Sequence, residues 1–308
     1  MARGEDSPAM KHFRELKEAH GNAVLLYQIG DFFETFFDDA KEIARVLGIT
    51  LTSRGEQLDG QAIPMAGFPL RALDQHLPRL LEAGLRVVVC EQTEDSALAK
   101  GLVKREVTRV ITPGTVTEDS LLDARKANII AAWIASGKSG GLAWAELATG
   151  RFLCTTLSRQ DLPSALARLE PAELLLTEAY WSRERDELNA LRALTSAALT
   201  AVPDFSFDEI RAISALKAHF GVQTLAGFGF ENSSGIELAA AGALLSYLQE
   251  NQRGKLAHLR NLERFEPSSV MALDRATLDA LEVVATLRGR ERRGSLLDCI
   301  DETCTSMG

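Results

Sequence analysis

Short apolar runs rich in β-branched residues alternate with amphipathic stretches along most of this chain, and that alternation confines it to a mixed α/β architecture. Residues 10–20 (MKHFRELKEAH) read as a short amphipathic helix, and residues 23–28 (AVLLYQ) as a buried strand stopped by Gly30. Residues 31–47 (DFFETFFDDAKEIARVL) have helical periodicity and end at Gly48. A short strand, ITLTS, leads into a polar, glycine-containing loop, RGEQLDGQ. IPMAGFP precedes a helix over LRALDQHLPRLLEAG, in which Pro78 is expected to kink or re-cap the chain. LRVVVCEQ and EVTRVIT complete the set as strands, the second ending at a Pro-Gly turn. These elements describe one small α/β domain over residues 1–112.

Residues 113–127 (PGTVTEDSLLDARKA) read as a turn and polar linker. Beyond them NIIAAWIA, LAWAELATG and RFLCTTL are strand-like runs separated by short turns, the pattern of a meander. A helix over DLPSALARLE, a strand over ELLLTEA and further helices, including GIELAAAGALLSYLQEN, follow. Over residues 128–250 this fits an RNase-H-like three-layer fold, a pattern that other mixed folds share. Residues 251–308 read as the start of a third, helical unit. ALDRATLDALEVV is expected to be helical, with Asp274 near its start and an apolar stripe through Leu278, Leu281 and Val284. That stripe needs partners, so the chain is expected to be a piece of a larger protein.

Composition narrows the function classes. A net charge of −9 argues against a protein that coats nucleic acid in bulk. Any such contact must use a local basic patch, for which Lys100, Lys104, Arg105 and Arg109 form one candidate and Arg54 with Arg71 another; a solvated surface face is the plainer reading of either. Cys90, Cys154, Cys299 and Cys304 are scattered without a CxxC pair, which suits reduced cytoplasmic thiols better than disulfides or a zinc site. The charged opening stretch has no apolar core of the secretory kind, and no run reaches the roughly 18 apolar residues of a membrane span.

The chemistry-bearing stretch is Gly30-Asp31-Phe32-Phe33-Glu34. Its plain reading is a helix start, with Asp31 as N-cap and Glu34 at N3 of a capping box. Phe32/Phe36 and Phe33/Phe37 are then i, i+4 core pairs. Four Phe within six residues would surround most of a helix, however, so at least one is expected to be exposed.

Read together with Pro64-Met65-Ala66-Gly67 and Thr112-Pro113-Gly114-Thr115, this stretch resembles the N-terminal part of the MutS family of DNA mismatch-recognition proteins, and the resemblance covers essentially the whole chain. It implies a small mixed α/β mismatch-recognition domain, an RNase-H-like connector domain and the start of a helical core/lever domain. It also implies roles: Phe32 is the wedge, Phe33 occupies the variable middle position, and Glu34 contacts the unpaired base. The physics agrees, because a mismatched duplex is cheaper to kink and unstack than a paired one, and an inserted aromatic exploits the difference. A carboxylate near phosphates is repelled, so Glu34 helps only by hydrogen bonding to the displaced base, protonation being one route. Ser53, Arg54, Arg71, Lys104, Arg105 and Arg109 are candidates for backbone contacts. Met65 is a candidate at the sugar edge, with core burial as its alternative.

Two enzyme readings compete. Ala132 to Ser139 (AWIASGKS) satisfies a permissive P-loop pattern, but a strand-like run follows where a helix should, so a hairpin turn is expected. A metal-dependent nuclease on the second domain would need convergent carboxylates, and only Glu146, Glu173 and Glu178 are at hand. The resemblance implies that ATP and Mg belong to full-length family members and that this piece carries no cofactor and no ATPase. It further implies a MutL-type partner on the connector domain, a homodimer in the full-length family, a monomer for this piece, and a cytoplasmic location, nucleoid-associated on DNA. The remaining alternative is a protein-interaction module that does not touch DNA.

Overall fold

A computed structural model describes residues 7–56, 62–94, 103–116, 127–231, 235–252, 256–266, 273 and 275–303. The chain divides into two compact units, Met1–Val116 and Thr117–Gly308.

In the first unit, α1 (Pro8–His20) precedes β1 (Val24–Ile29), β2 (Phe32–Phe36), α2 (Phe37–Leu47), β3 (Thr52–Glu56), β4 (Ala62–Pro69), α3 (Leu73–Glu82), β5 (Val87–Gln92) and β6 (Arg105–Ile111). The six strands form one sheet in the order β3-β4-β2-β1-β5-β6. β1 and β5 are parallel and the other neighbours antiparallel. Ser7 caps α1 by accepting the Met10 N–H, with Pro8 in the first turn. α3 runs through Pro78 without a second cap. The Asp39 carboxylate, its pKa raised by burial, accepts from Lys17 Nζ at 2.6 Å and from the Leu25 N–H at 3.0 Å, so it ties α2 to α1 and β1.

The helix expected over residues 31–47 is corrected: its first part is the strand β2, and only Phe37–Leu47 is helical. The physical cause lies on both sides of the aromatic run. Gly30, at φ 59°, sits first in a two-residue turn that closes the β1–β2 hairpin, with Ile29 opposite Phe32. At the other end Phe37 takes φ 57°, a value bulky residues rarely adopt, and breaks strand from helix. Phe37 is held there by the ring of Phe13 and the guanidinium of Arg14. No capping box forms from Asp31 and Glu34; α2 starts later, with Asp38 and Asp39 in its first turn. The short strand also differs from expectation. It begins at Thr52 and takes in Arg54, Gly55 and Glu56, because Thr52 and Ser53 pair with Met65 and Pro64 and one extra residue is accommodated before Glu56 meets Ala62.

The second unit contains β7 (Ile129–Ser136), β8 (Ser139–Glu146), β9 (Arg151–Ser158), α4 (Leu162–Leu169), β10 (Glu173–Thr177), α5 (Glu178–Arg183), α6 (Arg185–Leu194), β11 (Ala198–Val202), α7 (Glu209–Phe220), α8 (Ile236–Gln252) and β12 (Glu263–Arg264). Its sheet order is β11-β10-β7-β8-β9-β12. β7, β8 and β9 are the expected antiparallel meander, and β10 and β11 add on in parallel beside β7. Alternation along β7 sends Ile130 and Ala132 to a core shared with α7 and α8, and Ala131 and Trp133 to a core shared with α4, α5 and α6. The result is the three-layer arrangement of the RNase-H-like expectation. Toward the C-terminus α9 (Arg275–Ala280) and α10 (Leu296–Ile300) are short. The longer helix expected over ALDRATLDALEVV stops at Ala280, because the carbonyls of Glu282 and Val283 accept from the N–H groups of Leu296 and Leu297. Leu281, part of the expected stripe, is exposed; Asp274 lies outside the described residues.

Candidate nucleic-acid interface

The strand geometry of β2 decides which of its side chains can meet a ligand. Successive residues point to opposite faces. Phe33 turns inward at 2% exposure, against Phe68, whose ring in turn meets His76 of α3. Phe32, Glu34 and Phe36 share the other face. Phe36 lies under Phe13 of α1, and on the same face His12 Nδ1 is 2.9 Å from Tyr27 Oη. Four residues along, at the turn, this face is open: Phe32 is 46% exposed. A large apolar ring left in water beside a carboxylate is the informative departure from a packed strand.

Glu34 pairs across the sheet with Tyr27 on one side and Gly67 on the other. A Cβ at residue 67 would stand 2.7 Å from the Phe33 carbonyl oxygen and 3.4 Å from Glu34 Cγ, so only glycine leaves room for β2 to pack this closely. Arg54 Nη1 meets Glu34 Oε2 at 2.5 Å, with 49% of the arginine side chain and 17% of the glutamate side chain accessible. No hydrogen bond to Glu34 Oε1 is present among the described residues.

The other candidates fall into distinct roles. Ser53 is exposed beside Arg54 on β3. Met65 is half-buried against the apolar core around Phe13 and Phe36, and its carbonyl accepts from the Thr52 hydroxyl. Arg71 is exposed just beyond β4, whose last residue pairs with Phe32. Arg105 spends its donors inside the fold, on the Gln28 and Val103 carbonyls at 2.8 Å each, and lies over the Tyr27 ring at 5.0 Å. Burial pushes the Tyr27 phenol up to about 12, partly opposed by Arg105, so the ring remains a neutral platform. Lys104 is exposed and paired with Glu106 at 2.8 Å; that hydrogen bond raises its pKa. Arg109 is half-buried opposite Val89, further along β6. The register therefore gathers Arg71, Lys104 and Arg105 at the end of the sheet that carries Phe32 and leaves Arg109 away from it. Lys100 lies outside the described residues. Sequence reasoning missed Gly67 as the floor beneath Glu34 and Arg54 as its ion-pair partner; only the strand register reveals either.

The second unit uses its carboxylates differently. Glu173 is fully buried and accepts from the Thr200 and Tyr247 hydroxyls at 2.7 and 2.6 Å. Glu146 accepts from Thr149, and Glu178 opens α5. Among the described residues no three His, Cys, Asp or Glu side chains group as metal ligands do. Residues 137–138 form the two-residue hairpin turn between β7 and β8, and a strand follows where a P-loop needs a helix. Cys90 and Cys154 are buried free thiols; burial pushes Cys90 up to about 11 and Cys154 higher still, which makes both inert. No helix among the described residues is long and apolar enough to cross a membrane.

Comparison with known proteins finds two family models along the chain. Residues 7–120 match the family model described as MutS domain I, and residues 128–260 that described as MutS domain II. The DNA mismatch repair protein MutS of Rhodopirellula baltica is 41% identical over 322 residues, covering 98% of this chain and 35% of that protein. The protein of that name from Rhodopseudomonas palustris (strain HaA2) is 44% identical over 310 residues, with 98% and 33% covered. That of Symbiobacterium thermophilum is 40% identical over 308 residues, with 98% and 35% covered. The chain thus spans about a third of the length of the curated relatives it matches.

Proposed function

The chain belongs to the MutS family, and from that premise we propose that its first unit binds mismatched or looped duplex DNA to begin repair. Phe32 enters the minor groove as a wedge and Glu34 contacts the displaced base. What supports this reading is the placement of an exposed Phe32 and a partly open Glu34 on one face of β2, beside the hairpin turn at Gly30. An inserted ring unstacks a base step at a cost of a few kcal/mol, which is least where the step is already mispaired. Stacking on the ring returns about 1–3 kcal/mol whatever the base, as a sensor of many mismatches requires. Arg71, Lys104 and neighbouring cations hold the backbone, so affinity falls steeply with salt.

The test is binding of this chain, at low salt, to two labelled duplexes that differ by a single G·T mismatch, alongside Phe32→Ala. Preference for the mismatch, lost in a variant of unchanged helix content, is the expected result. A folded Phe32→Ala protein that still discriminates would remove the wedge role.

The second unit is proposed to be the connector that meets a MutL-type partner. ATP and Mg are assigned to other parts of full-length relatives, so these residues are not expected to hydrolyse ATP. The chain is expected to be monomeric, and its full-length relatives dimeric, cytoplasmic and nucleoid-associated on DNA.

A further inference from the structure

We propose that Arg54 is a specificity-determining partner of Glu34: the guanidinium holds one carboxylate oxygen and leaves the other to accept from an unpaired base bearing an N–H donor. The inference rests on the mismatch-binding reading and goes beyond it by naming the residue that holds Glu34 in place for that contact.

Three observations carry it. Arg54 Nη1 lies 2.5 Å from Glu34 Oε2, so the carboxylate is met by a guanidinium before any DNA arrives. The second oxygen, Oε1, has no hydrogen bond among the described residues, and part of the side chain remains open beside the exposed Phe32. Finally, Arg54 sits where the β3–β4 pairing takes in an extra residue, between Ser53 and Glu56, and such a bulge re-aims a strand's side chains. Gly67 keeps the space next to Glu34 clear of a side chain, so the arginine reaches it across β4.

The chemistry follows. A lone carboxylate brought among phosphates pays like-charge repulsion, whereas a pair of zero net charge does not. With Oε2 occupied, Oε1 accepts and cannot donate, because an ionised carboxylate carries no proton. It therefore rewards a base that offers an imino or amino N–H. In a paired duplex those donors are already engaged across the helix, and the desolvated oxygen would go unsatisfied.

The experiment is a double-mutant cycle in the 308-residue chain, with Arg54→Ala, Glu34→Gln, both together, and Arg54→Lys, each checked for unchanged melting. The probes are a paired duplex, a duplex with one unpaired thymidine, and the same duplex with N3-methylthymidine, which lacks the donor. Arg54→Ala is expected to lower affinity for the unpaired-thymidine duplex about ten-fold, the low end for a close charge pair at an interface. The same change in the Glu34→Gln background should cost only about two-fold, the share of a single phosphate contact. Arg54→Lys should restore most of the loss, and the N3-methyl probe should lose as much in the unaltered protein as Glu34→Ala, which removes the acceptor, does with thymidine. If Arg54→Ala weakens every duplex by one factor in both backgrounds, Arg54 is a backbone contact and the inference is overturned alone, provided Phe32→Ala still abolishes discrimination. If the unaltered chain binds paired and unpaired duplexes equally, the mismatch-binding reading fails and this inference fails with it.

Discussion

Glu173 and Glu237 in the second unit and Glu34 in the first all stand on or beside a six-stranded mixed sheet, yet they are satisfied in different ways. Glu173 accepts from two hydroxyls in a fully buried site, and Glu237, at the start of α8, accepts from Arg264 at 2.9 Å and the Thr156 hydroxyl at 2.5 Å. Helices cover both faces of that sheet, so these carboxylates are consumed in holding layers together. Glu34 has one half-exposed arginine and an exposed aromatic neighbour. The difference teaches where a ligand can act: a carboxylate enclosed by its own fold contributes stability, and one left with an open acceptor at a bare sheet end is available for recognition.

The sharpest break in that comparison lies within β2 itself. Phe33→Ala should cost about 3–5 kcal/mol of stability, because a buried ring is replaced by a cavity. Phe32→Ala, one residue away on the open face, should stay within about 0.5 kcal/mol of the unaltered protein while losing mismatch preference. Denaturant unfolding beside duplex binding separates the two effects. Equal losses of stability would show that Phe32 is packed in solution.

Across the two units the expected contrast is smaller. Glu237→Ala leaves Arg264 without its carboxylate in a partly buried site and should cost about 3 kcal/mol. Glu34→Ala breaks a more exposed pair and should cost less than about 1 kcal/mol, with its effect appearing in discrimination instead. Unfolding curves of the two variants check the ranking; a Glu34→Ala protein destabilised as much as Glu237→Ala would make the first pair structural too.

Much of the fold is legible in the sequence, and the exceptions have physical causes. The meander, α8 and the strands around VVVC follow from periodicity and turn residues, because each buries a face that its own pattern specifies. The GDFFETFF run misleads because Phe pairs at i, i+4 and acids at i, i+3 satisfy a helix rule, while the hairpin at Gly30 and pairing with β4 satisfy a strand rule. Pairing wins, since it buries Phe33 and Phe36 together against partners distant in sequence. The candidate site was legible only in part. Resemblance pointed to Phe32 and Glu34, but the link from Glu34 to Arg54 spans twenty residues and a segment read as loop, and no local pattern encodes it.

Gly67 offers a finer probe of the open end. Its backbone φ is one any residue adopts, so the obstacle to a side chain is steric: the Cβ would press on the Phe33 carbonyl oxygen. Gly67→Ala should push β4 from β2 at a cost of about 1–3 kcal/mol, as overpacking does. It should also shift Glu34 enough to lower mismatch preference at temperatures where the protein remains folded. Full retention of preference would show that the carboxylate tolerates displacement.

The smallest effect expected is a pH dependence confined to the first unit. Burial holds the His76 imidazole below its ordinary value of 6.5, with Arg79 adding to it, and His20 is lowered the same way beside Arg86. For both rings the folded state binds a proton less readily than the unfolded state. Their contribution is therefore complete above about pH 6.5 and is lost as pH falls from there through the lowered folded-state values. His76 also packs its ring on Phe68, which backs the buried Phe33, so the loss reaches the floor of β2. His76→Leu should flatten the fall in melting temperature between about pH 6.5 and 5 without changing stability near pH 8 beyond a small packing difference. An unaltered slope would mean that His20 or groups outside this face carry the titration, and that the closed side of the sheet, like its open end, responds to charge in a way burial alone does not explain.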